Sequence, residues 1–422
     1  MSSRIDENNY HGGEQDVTEA IKIRLYPTDE QKKIINQNIG NRGFIWNKML
    51  VKIKYENVKP TQKTLNNILK ELRSEYPFLE KSESSSRQQV YRDLIKAYNK
   101  HKKEGAGFPK FKSEKNPNIS FRIQANNNNI HLNERKNRIQ IPKIGKIKFK
   151  TSKEHKQKIQ ESKINNITIK HENGIYTGII NINTNHTPLE HSFEAVGIDI
   201  GIRRPLTCSN GLKIEEFDLT REEKNVKYYQ CEMSKKQRGS KRYRIAQKRY
   251  WKALNKKINK KNDQYHKITH HIVKNNQVIA LETLNIKGWF KNNHWAPKLQ
   301  RISLYEILRQ LKYKSERNNR KIIQVGRFFP SSQKCSNCGY QYHDLGLSEE
   351  EWICPECGKH HDRDLNASIN IKNEGLSLIR EKIIKTISYW DCHGLRCAGI
   401  GSKVLTFHST RGMLKNRESP TS

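Results

Sequence analysis

The chain has 422 residues, of which 34% are apolar, so two or three domains are expected, with much of their surface facing solvent or a polar partner. Its 80 Lys and Arg residues against 43 Asp and Glu give a formal net charge of +37, which repels itself unless a polyanion neutralises it. These totals disfavour a merely soluble basic protein and predict a nucleic-acid partner.

The chain offers no apolar run near the ~20 residues that a membrane span needs, and its N-terminus has no apolar signal region. Its eight cysteines include two close pairs, which is the spacing of a metal site and not of a disulfide framework. We therefore expect a cytoplasmic protein with no membrane partner.

The N-terminal part predicts a strand followed by helices. Residues 1–19 are polar and are predicted to be flexible. The next stretch, AIKIRLYPTDEQ (20–31), first alternates apolar and polar residues as a strand does. It then places Thr28 three residues before Gln31, the pattern of a helix capping box. A further helical pattern runs over residues 86–100.

The pattern changes after GAGFPKFKS (105–113). Between residues 119 and 183 five short alternating segments are separated by Gly, Asn and Pro, which is typical of short strands. We predict a small β-barrel domain over residues 20–190, with a helical insert at about 28–105.

From residue 195 strands alternate with helices, which indicates an α/β domain over residues 191–380. Its predicted strands are AVGIDIGI, QVIALE and KIIQVG. One helix is expected after the cysteine pairs, and another from about Gly375 to Tyr389. Residues 381–422 form a C-terminal extension that we predict to be largely disordered.

Two Cys-x-x-Cys-Gly knuckles, separated by 15 residues, predict a zinc ribbon over residues 330–360. Four thiolates fill a tetrahedral shell, so the site is expected to be closed and structural. His360 and His361 are possible competing ligands, whereas Cys392, His393 and Cys397 form a weaker cluster that we interpret as incidental. The predicted zinc ligands are Cys335, Cys338, Cys354 and Cys357.

Carboxylates end or begin three of the predicted elements. Asp199 lies in GIDIG, where the glycines would let a phosphate and metal ions approach, and Glu282 ends the buried strand VIALE. Asp362 and Asp364 start a helix, where either one can be a simple cap. Each acid alone is more typical of an exposed strand end or a cap.

Together these acids predict one site. Carboxylate oxygens are the ligands that Mg²⁺ prefers, and two such ions ~4 Å apart activate a water and stabilise a leaving oxygen. Combined with the basic surface, the pattern predicts metal-dependent hydrolysis of phosphodiesters.

Basic residues crowd one predicted helical stretch. Residues 221–261 hold 16 Lys and Arg against three acids, which favours contact with phosphates. An apolar seam at helical spacing predicts that the opposite face packs in the protein. The candidate phosphate contacts are Arg242, Arg244, Lys248 and Arg249.

A second set of candidates lies in SSSRQQVYRDL (84–94). Arg87, Gln88 and Gln89 are candidates for reading base edges, since Arg pairs with guanine and Gln with adenine. Ordinary exposed helix residues are the simpler interpretation of all three.

Five segments, in this order, resemble the TnpB proteins of insertion sequences, to which the compact type V CRISPR effectors look related. The resemblance covers about residues 20–375, and the four-Cys ribbon running into Asp-Arg-Asp-x-Asn-Ala is its most specific part. The segments are IKIRLYPTDEQ, GIDIGI, IALETLNIKGW, FPSSQKCSNCGY and WICPECGKHHDRDLNASINI.

The resemblance implies a RuvC-like nuclease of RNase H fold with an inserted four-Cys zinc ribbon, preceded by a β-barrel wedge domain with a helical recognition insert. It implies that Asp199, Glu282 and Asp364 are the catalytic Mg²⁺ ligands and that Asp362 is not. Ser368 stands where the family often has Ala, and Ile200 where it often has Leu or Val, and neither change affects these ligands.

The resemblance also implies an activity, namely that of an RNA-guided endonuclease. Such an enzyme uses a guide RNA from a transposon end and cuts double-stranded DNA next to a short flanking motif. We expect a monomer. Two alternatives stay open, a compact type V CRISPR effector and a non-cleaving RNA-guided regulator, although the presence of all three acids argues against the second.

Overall fold

Two sheets, each with its own buried core, organise the computed structural model of the chain. None of the helices in the part of the chain that the structure describes is long and apolar enough to cross a bilayer. The described residues are 15–113, 119–133, 137–201, 204–284, 303–346 and 349–392.

The first sheet is antiparallel and has the order β2-β6-β7-β1-β5-β4-β3. Isoleucines from its strands form one core, as their alternation with polar residues predicts. The sequence predicted most of these strands but not the short β3. The strands are β1 (Gln15–Tyr26), β2 (Ser120–Gln124), β3 (His131–Asn133), β4 (Arg138–Ile141), β5 (Gly145–Lys150), β6 (Lys163–Glu172) and β7 (Ile175–His186).

β1 is longer at its start than the sequence predicted. Its pairing with β7 begins at Gln15 opposite His186 and continues through Glu19 opposite Ile182. Residues 15–19, predicted to be flexible, are therefore in the sheet, because the partner strand satisfies their backbone groups although four of the five residues are polar. Residues 1–14 lie outside the described residues.

Helices inserted between β1 and β2 form a second core of their own. The predicted capping box is confirmed, since the Thr28 side chain accepts from the Gln31 N–H and the Gln31 side chain accepts from the Thr28 N–H. The elements are α1 (Asp29–Tyr55), α2 (Gln62–Glu75), a 3-10 helix (Pro77–Lys81) and α3 (Ser84–Glu104). A short helix that the sequence did not predict, α4 (Lys153–Glu161), connects β5 to β6.

The second sheet has the order β10-β9-β8-β11-β12. β8, β11 and β12 are parallel, and β9 runs antiparallel to β8. The strands are β8 (Ala195–Asp199), β9 (Leu206–Cys208), β10 (Lys213–Ile214), β11 (Val278–Glu282) and β12 (Lys321–Val325).

Helices cover both faces of this sheet. Ile279 and Leu281 of β11 join one core, while Ala280 between them joins another with Ile371. Because strand side chains alternate between faces, the sheet is a central layer. The basic stretch 221–275 forms two helices with a break between them. The helices are α5 (Thr220–Ser234), α6 (Lys241–Asn275), α7 (Leu304–Arg317) and α8 (Arg363–Cys392).

α8 is one helix, so the prediction of a new helix at Gly375 was wrong. A Cβ on Gly375 would lie 2.6 Å from the Cβ of Ala280, so the missing side chain permits close packing on β11 and marks no helix end. Residues 381–392, which we assigned to the disordered extension, continue α8, and residues 393–422 lie outside the described residues.

α8 crosses β8 at Gly197. A Cβ there would lie 2.0 Å from the Ser368 carbonyl oxygen and 2.4 Å from the Lys372 nitrogen. The space that we assigned to a phosphate and metal ions is therefore occupied by the backbone of a helix. At Gly201 a Cβ would lie 2.9 Å from the Arg204 carbonyl oxygen, so that glycine serves a tight turn of the chain.

We predict that Gly197→Ala lowers the free energy of unfolding by at least ~3 kcal/mol, the upper end for overpacking, because the obstacle is helix backbone that cannot rotate away. Chemical denaturation monitored by circular dichroism measures the change. Gly40→Ala is the matched control: Gly40 is an exposed residue of α1 with open space around its Cα, so this change should stabilise by up to ~1 kcal/mol. Equal stability of Gly197→Ala and the parent protein would contradict the packing described above.

Candidate functional site

Three carboxylates converge at one edge of the second sheet. Asp199 and Glu282 are the last residues of the parallel strands β8 and β11, which are in register at Ile198 and Leu281. Asp364 lies in the first turn of α8, one turn before the residue whose carbonyl meets Gly197. The close helix crossing therefore carries Asp364 to the end of β8.

The electrostatics of Asp199 show this proximity. Burial, followed by the negative charges of Asp364 and Glu282, raises the pKa of Asp199 to about 7. Burial also raises the pKa of Glu282. Three acids gathered in a partly buried place repel one another, and a bound cation relieves that repulsion.

Asp362 has a different environment from its neighbour Asp364. Its Oδ1 accepts a 2.8 Å hydrogen bond from the Leu365 N–H at the start of α8, and its Oδ2 accepts one of 2.7 Å from Lys213. Although burial acts to raise the pKa of Asp362, these bonds and the nearby positive charges lower it. Asp362 thus caps the helix and pairs with a lysine.

Arg204 places a positive charge beside these acids, and sequence reasoning missed it. Its Nη1 lies 3.2 Å from Oδ2 of Asp364 and 3.7 Å from Oδ2 of Asp362, and its Nη2 lies 3.6 Å from Glu350. The available signal was the basic segment that directly follows GIDIGI in the sequence. The Gly201 N–H donates to the Arg204 carbonyl at 3.2 Å, which ties the backbone of this arginine to the residue two after Asp199.

The four predicted zinc ligands are brought together. The sulfurs of Cys335, Cys338, Cys354 and Cys357 all lie within 4.8 Å of one another. Cys335 and Cys357 are 3.7 Å apart at Sγ, and Cys338 and Cys354 are 3.6 Å apart. Tetrahedral zinc with bonds of ~2.3 Å needs sulfurs ~3.8 Å apart, so the donor set fits this ion.

Both knuckles have the same backbone. Gly339 and Gly358 have positive φ values of 86° and 66°, and their N–H groups donate to the carbonyls of Cys335 and Cys354 at 2.9 Å. These turns aim both cysteines of each pair at one point. Among the described residues, these four cysteines are the set of possible metal ligands whose donor atoms lie within 4.8 Å of one another. The oxygen atoms of the three carboxylates are farther apart than that.

Two asparagines tie the first knuckle to α8, and sequence reasoning missed them as well. Asn366 accepts from the Ser336 N–H at 2.9 Å and donates to the Lys334 carbonyl at 2.8 Å. Asn370, one turn later, donates to the carbonyls of Ser331 and Lys334. Their i,i+4 spacing in DLNASIN was the sequence signal. The cluster is thus attached to the helix that carries Asp364.

The three candidates for reading base edges do not form one exposed group. Arg87 is buried and donates to the Leu79 carbonyl at 2.7 Å and to Glu80 at 2.8 Å. Gln89 is buried and donates to Asp93 at 2.8 Å. Gln88 is the exposed member of the three. Arg87 therefore ties α3 to the 3-10 helix, while Gln89 bonds within α3 and accepts from Gln124 of β2.

The basic candidates on α6 are all exposed: Arg242, Arg244, Lys248 and Arg249. The last two line a groove of about 1160 Å³ that also includes Arg24 of β1 and the turn at Gly174 between β6 and β7. At the base of this turn Trp251 packs against Gly174, whose Cβ would meet the indole at 2.5 Å. Residues of the first sheet and residues of α6 therefore line the same groove, and basic side chains form one of its walls.

Comparison with family models gives three matches along the chain. Residues 17–59 match "Helix-turn-helix domain", residues 167–293 match OrfB_IS605, "Probable transposase", and residues 305–371 match "Cas12f1-like, TNB domain". In the structure the first of these spans contains β1 and the single helix α1.

Curated relatives agree with these matches. A Streptomyces pristinaespiralis protein named "Putative RNA-guided DNA endonuclease" is 27% identical over 86% of this chain and 90% of its own. "Putative RNA-guided DNA endonuclease InsQ" of Escherichia coli is 27% identical over 86% of this chain and 93% of its own. "TnpB-like protein L79" of Acanthamoeba polyphaga mimivirus is 30% identical over 28% of this chain and 23% of its own. The chain is thus similar to TnpB-like proteins and to proteins named RNA-guided DNA endonucleases.

The raised pKa of Asp199 predicts a pH-dependent penalty in the protein without Mg²⁺. Its folded pKa of about 7 exceeds the usual 3.8, so ionising it in the folded state costs stability increasingly as pH rises from ~4 to ~7. Asp199→Asn removes this penalty and should stabilise the fold by up to ~4 kcal/mol at pH 8 and less at pH 5. Urea unfolding across this pH range, without Mg²⁺, measures the difference.

Glu154→Gln, an exposed change on α4, is the control and should shift stability equally at both pH values. An Asp199→Asn effect that does not grow with pH would contradict the burial of Asp199 beside the other two acids.

Proposed function

We propose that this protein is a member of the TnpB family and a transposon-associated RNA-guided DNA endonuclease, which cuts double-stranded DNA next to a short flanking motif. The observation that carries the proposal is the convergence of Asp199, Glu282 and Asp364 at the carboxyl edge of β8 and β11. The names of the two relatives that span most of the chain support it. In this proposal the second sheet and its helices are a RuvC-like nuclease domain of RNase H fold.

The three acids would hold Mg²⁺. When bound, a pair of such ions supplies an activated water and stabilises the leaving oxygen of the phosphodiester. The chain itself fixes the acids on two strand ends and one helix start, so their geometry is set before substrate binds. Lys213 holds Asp362 away from this role, which leaves Asp364 as the acid of α8 that faces Asp199.

The four thiolates would hold a structural Zn²⁺, with no position open for a substrate. In this role the ion closes the two knuckles on each other. Asn366 and Asn370 then transmit the position of the first knuckle to α8. The proposed zinc ribbon thus serves the catalytic acid Asp364 without touching substrate.

The basic groove of α6 is the proposed path of nucleic-acid backbone. Phosphate contacts set position and carry no sequence information, whereas a paired guide RNA reads the target. In this proposal the first sheet is a β-barrel wedge domain, and its turn at Gly174 forms the second wall of the groove. We propose a monomer that acts in the cytoplasm, on the nucleoid of a prokaryotic host.

A compact type V CRISPR effector would use the same site, so the co-purified RNA separates the two contexts. Transposon-end sequence identifies the first, and a repeat-derived sequence the second. A non-cleaving regulator is disfavoured, since all three acids are present and converge.

We predict that the protein purified with its RNA cuts a plasmid library that carries the matched target beside randomised flanks, when Mg²⁺ is present. Asp199→Ala should lower the cleavage rate by at least ~100-fold, the scale of losing one preorganised charge-stabilising group. Glu154→Gln should cut at the parent rate. Sequencing the cut and uncut molecules measures both the rate and the flank preference.

Stable binding of RNA and target without cutting, by parent and Asp199→Ala alike, would support the regulator instead. Purification without any bound RNA would contradict guidance.

We also predict the salt dependence of RNA binding. Lys248→Ala and Arg249→Ala should each reduce the slope of log K against log [salt] by about 1, since each removes one phosphate contact. Lys267→Ala is the control, because this exposed lysine of α6 pairs with Asp263 and lies outside the groove. Filter binding from 50 to 300 mM salt measures the slopes, and equal slopes for all four proteins would place the RNA elsewhere.

A further inference from the structure

A buried histidine lies directly against the cysteine cluster. His361 Nε2 is 3.0 Å from Sγ of Cys335, and both residues are buried, with 6% and 1% of their surface exposed. His361 lies in a hairpin of β13 (Glu351–Ile353) and β14 (His360–Asp362), opposite Trp352. Its ring packs on that indole, with centroids 4.7 Å apart.

The position of His361 indicates whether it binds the metal itself or donates a hydrogen bond to one of the metal-binding sulfurs. The four sulfurs lie within 4.8 Å of one another, and the His361 nitrogens are not within that distance of all four. His361 therefore approaches Cys335 from the outside of the cluster. Four thiolates complete a tetrahedral shell, and they concentrate negative charge on the sulfurs.

We propose that His361 is a positioning residue of the zinc site, donating its Nε2–H to the Cys335 thiolate and leaving the metal to the four cysteines. This inference rests on the zinc site of the proposed function. Such outer partners orient metal ligands and are typically worth 10–100-fold in metal affinity. A buried thiolate has few other hydrogen-bond donors to offset its charge, so losing the bond from His361 would be costly.

The same residue couples the metal to the acid site. The chain runs from His361 directly into Asp362, which caps α8 through the Leu365 N–H, and then to Asp364. The hairpin therefore leads into the first turn of α8, while Asn366 and Asn370 bond the first knuckle to its first two turns. His361 fixes one end of that arrangement to a metal-bound sulfur.

The test uses full-length protein with its zinc exchanged for Co²⁺, whose charge-transfer and d–d absorption bands report on thiolate and on ligand set. His361→Ala should lower Co²⁺ and Zn²⁺ affinity by 10–100-fold in chelator competition. It should also shift the thiolate-to-cobalt charge-transfer band and leave a four-sulfur d–d pattern. His361→Gln keeps an N–H donor and should recover at least part of the affinity and of the band position.

His360→Ala is the matched control, because His360 is the adjacent, exposed histidine of the same strand and pairs with Glu351. It should leave affinity and spectrum unchanged. A d–d pattern of three sulfurs and one nitrogen in the parent protein would overturn the proposal, since His361 would then be a ligand. Parent-like affinity and spectra for His361→Ala would overturn it as well.

The outcome also separates this inference from the proposed zinc site itself. A parent protein that binds no Co²⁺ or Zn²⁺ stoichiometrically would overturn both. A parent that binds one ion, with His361 variants that behave like His360→Ala, would overturn the role of His361 alone. These readouts require no guide RNA and no cleavage, so they stand apart from the endonuclease proposal.

Discussion

The close crossing of α8 over β8 is the constraint on which the candidate site depends. At Gly197 the helix backbone comes so near the strand that a single Cβ would overlap it. This approach places the first turn of α8 beside the end of β8, where Asp199 lies. With any larger residue the helix would lie farther out, and Asp364 would be separated from the two strand acids. Gly375, against Ala280, repeats the arrangement one strand further on.

The cysteine cluster fixes the remaining freedom of that helix. A crossing point alone lets a helix rotate or slide, and its first turn is the part most prone to fray. Here Asp362 caps the turn, Asn366 and Asn370 bond it to the first knuckle, and the hairpin of β13 and β14 leads directly into it. The cysteine cluster directly precedes Asp362 and Asp364 in the sequence because its hairpin ends where α8 begins.

Acidic and basic side chains are also separated in the structure. On a chain of net charge +37, three acids converge at one sheet edge while an exposed basic wall lines the groove of α6. Burial, and then repulsion by the other two acids, raises the pKa of Asp199, whereas Arg204 and Lys213 form ion pairs with the acids at the start of α8. Such a division suits a polyanion that is held along the basic wall and met by cations at the acidic edge.

Local features of the fold and of the site could be predicted from the amino-acid sequence alone. The alternation in β1, the Thr28 capping box, the two knuckles and the acids at element ends are all readable, because each depends on neighbours within a few residues. What lies opposite these features depends on how distant parts of the chain pack together. Arg87 and Gln89 looked like surface residues but are buried, since the fold of α1 to α3 encloses that face of α3. Gly197 was expected to leave room for a ligand, but α8, which begins far later in the chain, packs against it. His361 was considered a competing metal ligand, but it contacts one sulfur from outside the cluster. Such contacts join residues far apart in the chain, and no local pattern encodes the distance between them.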